Sequence, residues 1–252
     1  MLKRNWRDQI PRVGHESAIA WMLMTADYDE SWHNEPSVLK AIEALARQTV
    51  QGRQQSDYHA HDDMEQLFYT ISGSGIMRID DEEHSVQEGD VIYLPPNVKH
   101  QFINNTEAWT EFLIISCMVD DTSPSEAVIR NWRDQTSYRG HESAIIWAVF
   151  RSRGSSPSHG EVACLRTLSG FTKHTMQGRK TSDHHVHKDI EQIYYMLKGE
   201  ITLRVNDENH TLVEGDIVQL LPGDWHQVIN ESDEWAEYLI FSAQIKERSM
   251  GR

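Results

Sequence analysis

The stretch His59-Ala60-His61, followed by Glu65-Gln66, returns 126 positions later as His185-Val186-His187 with Glu191-Gln192. The same offset relates Asn5-Trp6-Arg7-Asp8-Gln9 to Asn131-Trp132-Arg133-Asp134-Gln135, and it needs no insertion between about residue 5 and residue 116. Solenoid repeats are much shorter, at roughly 20–50 residues, so each copy is predicted to be a whole domain.

Each copy is predicted to be β-structured. Short apolar runs, such as residues 111–115 and 201–205, are separated by turn residues, and many closely spaced short strands are typical of all-β folds. Residues 38–46 have helical propensity. Their counterpart in the second copy has a strand pattern, however, so we expect a strand there too. The polar stretch 120–126 is the expected joint, which gives one domain over 1–122 and a second over 123–252.

Charge and composition exclude several classes of partner. Against 24 Lys plus Arg stand 39 Asp plus Glu, a formal charge of −15, which disfavours nucleic acid and anionic membranes. No apolar run approaches the roughly 20 residues needed to cross a bilayer. The apolar run at 18–24 follows basic residues, as in an export signal, but the same pattern recurs at 141–150. Two distant cysteines do not indicate a disulfide framework. We therefore expect a cytoplasmic protein.

Each copy also carries a set of metal-ligand residue types. Residues i and i+2 of a strand share a face at roughly 6.6 Å, so both imidazoles of a His-x-His pair can reach one ion. A third histidine follows about 40 residues later, as His100 in the first copy and His226 in the second. The glutamate–glutamine pair in each copy offers a fourth ligand. The repetition of the whole set predicts one metal centre per domain.

These motifs resemble those of the cupin superfamily, specifically the bicupins, in which two jelly-roll β-barrels lie on one chain. The first family motif corresponds to His59, His61, Gln66 and Gly73, and to their counterparts His185, His187, Gln192 and Gly199. The second corresponds to Gly89, Pro95, His100 and Asn104, and to Gly215, His226 and Asn230. Asn97 replaces a usual glycine and Leu221 a usual proline. The resemblance implies an all-β fold of two tandem jelly rolls.

The spacing to Gly73 in the family motif favours Gln66 over Glu65 as the fourth ligand, and Gln192 over Glu191 by the same comparison. Both glutamates stay open as alternatives. The implied cofactor is a divalent transition metal, one per domain, drawn from Mn, Fe, Co, Ni, Zn and Cu, because a mixed nitrogen and oxygen set suits all of them.

The pattern of three histidines and a glutamine is similar to that of small cupins that process unsaturated sugar acids in pectin breakdown. It implies an enzyme in which the metal acts as a Lewis acid on a small oxygen-rich substrate, such as a sugar acid, in isomerase or lyase chemistry. Two alternatives stay open. One is a quercetinase-like dioxygenase acting on an electron-rich substrate, and the other is a cupin that binds a small molecule without turning it over.

Several other residues are candidates for roles at these sites. Glu65, Glu191 or a metal-bound water is expected to move protons. Tyr194, two residues after Gln192, is a candidate proton donor or substrate anchor, with ordinary packing inside the barrel as the alternative. Asp57 and Asp183 share parity with the histidine pairs, and they could support the ligands or cap loops. Four recurring arginines could clamp a substrate carboxylate, with solvated strand faces as the alternative; they are Arg53, Arg78, Arg179 and Arg204.

Two more pairs of positions recur outside the metal motifs. His15 and His141, each in a Gly-His-Glu-Ser sequence, are expected on an entering edge strand. Four tryptophans are expected where the two barrels meet, so that the chain forms an internal pseudo-dimer, with a homodimer as a further alternative; they are Trp6, Trp21, Trp132 and Trp147. The expected partner is a small-molecule substrate.

Overall fold

The computed structural model describes residues 1–26 and 38–245. Apart from two single 3₁₀ turns, Trp6–Asp8 and Trp132–Asp134, the regular structure of these residues is β. The strands of the first copy are β1 Leu2–Asn5, β2 Arg12–Gly14, β3 Ala18–Thr25, β4 Ala44–Val50, β5 Met64–Ser72, β6 Ser74–Ile79, β7 Glu82–Gln87, β8 Asp90–Leu94, β9 His100–Ile103 and β10 Thr110–Met118. Those of the second are β11 Val128–Asn131, β12 Tyr138–Gly140, β13 Ala144–Ser152, β14 Val162–Leu165, β15 Leu168–Met176, β16 Lys180–Thr181, β17 Ile190–Lys198, β18 Glu200–Val205, β19 Glu208–Val213, β20 Asp216–Leu220, β21 His226–Asn230 and β22 Ala236–Gln244.

Each copy folds as a jelly roll made of one large and one small sheet. The first copy has a large sheet in the order β11-β8-β5-β10-β4-β3-β2 and a small sheet in the order β7-β6-β9. In the second copy the orders are β1-β20-β17-β22-β15-β13-β12, with β14 parallel to β13, and β16-β21-β18-β19. The prediction of two tandem all-β jelly rolls is confirmed.

The first strand of each copy pairs with the large sheet of the other copy. β1 lies antiparallel to β20, and β11 lies antiparallel to β8. Asn5 supports the pairing of β1 with β20 by donating a 2.8 Å hydrogen bond to Oδ1 of Asp216. Asn131 supports the pairing of β11 with β8 through the same 2.8 Å bond to Asp90. Each large sheet therefore contains residues from both halves of the sequence. The domain boundary at 122/123 stays a prediction.

Alternate residues of the large sheets face two different cores. Leu67 and Tyr69 of β5 belong to a core shared between the copies, where Tyr69 meets Phe171 with ring centroids 6.0 Å apart. Phe68, between them, faces the interior of the first jelly roll and packs edge-on against Phe112. Because side chains alternate across a strand, a sheet with a core on each side carries long runs of buried residues.

Residues 38–46 contain no helix, but their strand is shorter than expected because β4 begins at Ala44. The tryptophans form two edge-to-face pairs, Trp6 with Trp21 at 5.3 Å and Trp132 with Trp147 at 5.1 Å. The backbone N–H of Trp132 donates to the carbonyl of Gly89 in the other copy, at 3.2 Å. Among the described residues there is no helix long and apolar enough to cross a membrane. The cytoplasmic location stays a prediction.

Candidate metal centres

Three histidines of the first copy, His59, His61 and His100, converge into one cluster. His59 and His61 lie in the segment before β5, outside the regular strand that the sequence predicted. An isolated β-bridge holds His59 beside His100 instead. The N–H of His59 donates to the carbonyl of His100 at 3.2 Å, and the N–H of His100 donates to the carbonyl of His59 at 2.8 Å. One ring nitrogen of each of the three histidines lies within 4.8 Å of the others.

The second copy builds the same cluster from His185, His187 and His226. His185 and His226 are joined by reciprocal backbone bonds of 3.1 Å and 2.8 Å, and the three ligand nitrogens again lie within 4.8 Å of one another. Ring centroids of the trio are 4.3–5.4 Å apart. The structure therefore brings together all six histidines that the sequence assigned to metal centres, three in each copy.

Backbone carbonyls orient two imidazoles of the clusters. Nδ1 of His100 lies 3.1 Å from the carbonyl oxygen of Val98, and Nδ1 of His226 lies 2.9 Å from that of Asp224. A proton on Nδ1 satisfies each carbonyl and leaves a lone pair on Nε2, which points into the cluster. Burial lowers the pKa of both His100 and His226 to about 4. Both rings are thus neutral near pH 7, the form that binds metal.

Gln66 and Gln192 face the same cavities as the histidines. The amide of Gln66 donates to Ser116 Oγ at 3.0 Å, and this bond directs Oε1 away from the serine. Each cluster contains three buried atoms with no hydrogen-bond partner among the described residues: Nε2 of His61, His100, His187 and His226, and Oε1 of Gln66 and Gln192. Unpaired buried acceptors are costly unless something binds them. These donor sets fit a divalent transition metal; the glutamines as fourth ligands stay a prediction.

The structure contradicts the expectation that Glu65 and Glu191 move protons at the clusters. Both are fully buried on the opposite face of their strands, against the other copy. The Glu65 carboxylate accepts backbone N–H bonds from Arg166, Thr167 and Leu168 at 2.8–2.9 Å. Glu191 likewise accepts bonds from the backbone of residues 40–42 at 2.8–3.1 Å. Adjacent residues of a strand point to opposite faces. Because the glutamine faces the cavity, the glutamate before it faces the interface between the two copies.

Two residues at the clusters were missed by the sequence reasoning. His15 and His141 lie in the turns before β3 and β13, with positive φ angles of 46° and 45°, and not on an edge strand. Each stacks on the first histidine of its copy's pair, at 4.9 Å and 4.6 Å. His15 Nδ1 lies 2.8 Å from Oδ1 of Asp57, whose other oxygen lies 3.3 Å from Nδ1 of His59. The available signal was their recurrence at the same offset as the ligands.

Tyr194 lies in the cavity of the second copy, as predicted from its position two residues after Gln192 on the same strand. Its ring is edge-on to His226 at 6.2 Å and stacked on Tyr238 at 5.9 Å. Burial raises the pKa of its hydroxyl well above the usual value, so the group keeps its proton and can donate a hydrogen bond. The role of Tyr194 in the reaction stays a prediction.

None of the four candidate arginines lines the cavities that contain the described histidine clusters. Arg53 pairs with Glu107 at 2.7 Å and Arg179 with Asp233 at 2.8 Å, all on the surface. Arg78 stacks over the ring of Tyr58 at 4.5 Å, and Arg204 lies 3.7 Å from Asp207. This placement contradicts their assignment as a substrate clamp. Arg53 and Arg179 lie in turns with φ angles of 60°. Arg78 and Arg204 lie on β6 and β18, where the alternation of side chains along the strand turns them away from the cavities.

Comparison with known families gives a match to the cupin domain, twice, over residues 46–116 and 172–242. An uncharacterized protein of Methanocaldococcus jannaschii is 33% identical over 70 residues, which are 27% of this chain and 56% of that protein. The match thus spans just over half the length of that relative.

Solved structures resemble nearly the whole chain at low identity. Bacterial pirin YhhW of Escherichia coli in complex with nickel(II) is 14% identical, with a TM-score of 0.72, and the match covers 97% of this chain and 99% of that one. A variant of Bacillus subtilis oxalate decarboxylase is 14% identical with a TM-score of 0.73, covering 98% and 78%. A putative glyoxylate-induced protein of Pseudomonas aeruginosa is 15% identical with a TM-score of 0.70, covering 93% and 83%. At these identities the likeness shows the fold.

Proposed function

Because the chain belongs to the cupin family, with two copies of its domain and a histidine cluster in each, we propose that it is a metal-dependent enzyme acting on a small oxygen-rich substrate such as a sugar acid. The reaction class is isomerase or lyase chemistry. One observation carries the proposal: two buried imidazole nitrogens and a carboxamide oxygen in each copy have no partner among the described residues. The two nitrogens belong to a trio of histidines whose ligand atoms lie within 4.8 Å of one another, and the glutamine faces the same cavity.

The chemistry of the donors indicates what the ion does. A divalent ion held by three imidazoles and one carboxamide keeps its full charge, so it polarises a carbonyl or hydroxyl oxygen more strongly than an ion beside a carboxylate. Two fold relatives are compatible with this reading, since one is named as a nickel(II) complex and another as an oxalate decarboxylase.

The chain's own residues position and protect this chemistry. Asp57 and His15 hold His59 in its orientation, and Asp183 and His141 do the same for His185, with 2.9 Å between the Asp183 and His141 atoms. Tyr194 presents a protonated hydroxyl inside the second cavity. Phe68 and Phe102 give the first cavity an apolar lining beside that cluster. With the two glutamates turned away, proton movement falls to Tyr194 and to water in the cavities.

The first test is metal content, measured by inductively coupled plasma mass spectrometry on the wild type and on His61→Ala and His187→Ala. We expect two ions per chain in the wild type and one in each variant, because the clusters share no ligand. The matched control is His84→Ala, which removes a histidine on β7 outside the clusters and should leave two ions. No ion in the purified protein, and none after reconstitution, would overturn the proposal.

The second test follows the reaction itself. The metal-loaded protein is incubated in D₂O with a panel of sugar acids, and the products are followed by proton NMR. Isomerisation exchanges the proton next to the carbonyl for deuterium, and lyase chemistry creates a vinylic signal. Both should disappear when a chelator removes the metal. Oxygen uptake in place of these signals would instead favour the dioxygenase alternative.

A further inference from the structure

The two histidine clusters are alike, but the cavities around them are not. The N-terminal cavity, around His59, His100 and Gln66, has a volume of about 150 Å³. The C-terminal cavity, around His187 and Gln192, has a volume of about 340 Å³. Small-molecule sites are usually about 300–1,000 Å³, so by size the second cavity can hold a ligand of several carbons and the first is restricted to a smaller one.

The linings differ in chemistry as well as in size. At the 126-residue offset, Ala46 becomes Thr172, Gln48 becomes His174, and Phe68 becomes Tyr194. The lining of the N-terminal cavity includes five large apolar side chains, namely Met22, Phe68, Met77, Phe102 and Ile114. The C-terminal cavity instead presents hydroxyl groups, from Tyr138, Ser169, Thr172, Tyr194 and Ser242. A cavity rich in hydroxyl groups can match a ligand that carries several hydroxyls of its own.

Arg151 is the cation of the C-terminal cavity, and its counterpart in the first copy is Thr25. Its Nε donates to Glu161 at 3.3 Å and its Nη2 to the Tyr138 hydroxyl at 3.4 Å. The Arg151 side chain is 36% exposed, whereas that of Glu161 is 2% exposed. Glu161 thus orients one edge of the Arg151 guanidinium and balances its charge. The guanidinium can therefore donate hydrogen bonds in fixed directions, but it attracts distant anions only weakly.

We propose that the C-terminal cavity binds a small hydroxylated carboxylic acid, with its carboxylate on Arg151 and its hydroxyls on the polar wall, and that the N-terminal cavity does not accept this ligand. The inference rests on the proposed function, because it assigns that substrate class to one of the two metal clusters. The two copies have diverged in what they admit while keeping the same ligands for the ion.

Calorimetric titration of the full chain, reconstituted with zinc, tests this assignment. The probes are glycolate, tartrate and gluconate, with sorbitol as the matched polyol that lacks a carboxylate. We expect at least one acid to bind with one site per chain, at least tenfold more tightly than sorbitol. Binding should persist in His61→Ala and disappear in His187→Ala. Two acid sites per chain, or loss in His61→Ala with retention in His187→Ala, would overturn the proposal.

Variants of Arg151 test the carboxylate contact. Arg151→Thr installs the residue of the first copy, and Arg151→Lys keeps a cation for the buried Glu161 while removing the planar fork. Both should weaken acid binding at least tenfold and leave sorbitol unchanged. The lysine variant keeps the test valid if the threonine variant fails to fold. Unchanged acid affinity in the folded lysine variant contradicts the proposal.

Metal content measured on each sample separates this inference from the function it rests on. Two ions per chain without binding of any of the three acids refutes the cavity assignment and leaves the metal function intact. Acid binding that depends on Arg151 in a protein that takes up no ion refutes the metal function and supports the cavity assignment.

Discussion

At the scale of single residues, the bond made by one atom of a side chain decides what its other atoms can do. Nδ1 of His100 is occupied by the carbonyl of Val98, so Nε2 is the atom that faces the cluster. The amide nitrogen of Gln66 donates to Ser116, so Oε1 is the atom left without a hydrogen-bond partner in the described part of the chain. These local bonds turn a spacing of residue types into a directed donor set.

Residue spacing predicted which histidines cluster, but it did not predict the contacts of the neighbouring residues. The family motif favoured Gln66 over Glu65, and the structure places Gln66 toward the cavity. The destination of Glu65 could not be predicted, because its partners at 166–168 are backbone amides of the other copy about 100 positions away. His15 was missed for a similar reason, since the turn that stacks it on His59 depends on tertiary contact.

His174 gives the molecule a dependence on acid that can be measured. It is buried in the C-terminal cavity, and burial lowers its pKa from 6.5 to about 3. The unfolded chain therefore takes up a proton below pH 6.5 that the folded chain refuses, so the contribution to stability is complete above pH 6.5 and is lost as the pH falls toward 3. We expect His174→Gln, which copies Gln48, to be less destabilised by acid, by about 3 kcal/mol at pH 4.

The measurement is urea unfolding of both proteins from pH 8 to pH 4 with chelator present. The values at pH 8 set the baseline for any loss of packing or of the 2.9 Å contact between His174 and Thr172. The six clustered histidines are present in both proteins, so their contributions to the pH dependence cancel in the comparison. Parallel stability curves across the whole range would contradict the assigned pKa.

At the scale of elements, the sequence predicted short strands but not their partners. The strand periodicity of residues 190–198 is local information, whereas the pairing of β1 with β20 joins residues more than 200 positions apart. The histidine pairs also lie just outside β5 and β17, where a cross-strand bridge holds them. Pairing depends on tertiary packing, which local propensity does not encode.

The pairing of β1 with β20 requires a residue without a side chain at position 215, and this requirement can be tested. This glycine has a φ angle of +86°, and a Cβ there would lie 2.6 Å from the ring of Trp6. Gly154 has nearly the same φ angle, +84°, but a Cβ added to it would meet no atom within 4 Å. Alanine should cost about 1 kcal/mol at either position from the backbone conformation alone. Gly215→Ala should cost about 2 kcal/mol more, because the indole must move.

Chemical unfolding of Gly215→Ala and Gly154→Ala beside the wild type measures this difference. The glycine pair isolates the contact, since the backbone strain is common to both variants. Equal losses of stability in the two variants would mean that β1 and the following Trp6 do not pack against β20 and Gly215 as the structure shows.

At the scale of the whole molecule, the duplication explains both the fold and the way its halves are joined. The core between the copies draws on both large sheets, including Leu67 and Tyr69 from one and Phe171 and Phe241 from the other. Buried carboxylates cross it in each direction, from Glu65 to residues 166–168 and from Glu191 to residues 40–42. The offset of 126 predicted two domains, but it carried no information about which surfaces they share.

The exchanged strands predict how one half behaves alone. A fragment of residues 1–122 keeps β1 but lacks β11, so the edge of its β8 is bare. β1 and β11 make the same contact, since Asn5 bonds Asp216 as Asn131 bonds Asp90. A second fragment can therefore place its β1 on that edge, and the reciprocal exchange closes a symmetric dimer. We expect fragment 1–122 to be a dimer by size-exclusion chromatography with light scattering. Fragment 10–122 lacks β1 and should not form this dimer, because it has no strand to exchange. A folded monomer of 1–122, or a dimer of 10–122, would show that the two copies are not held together by strand exchange.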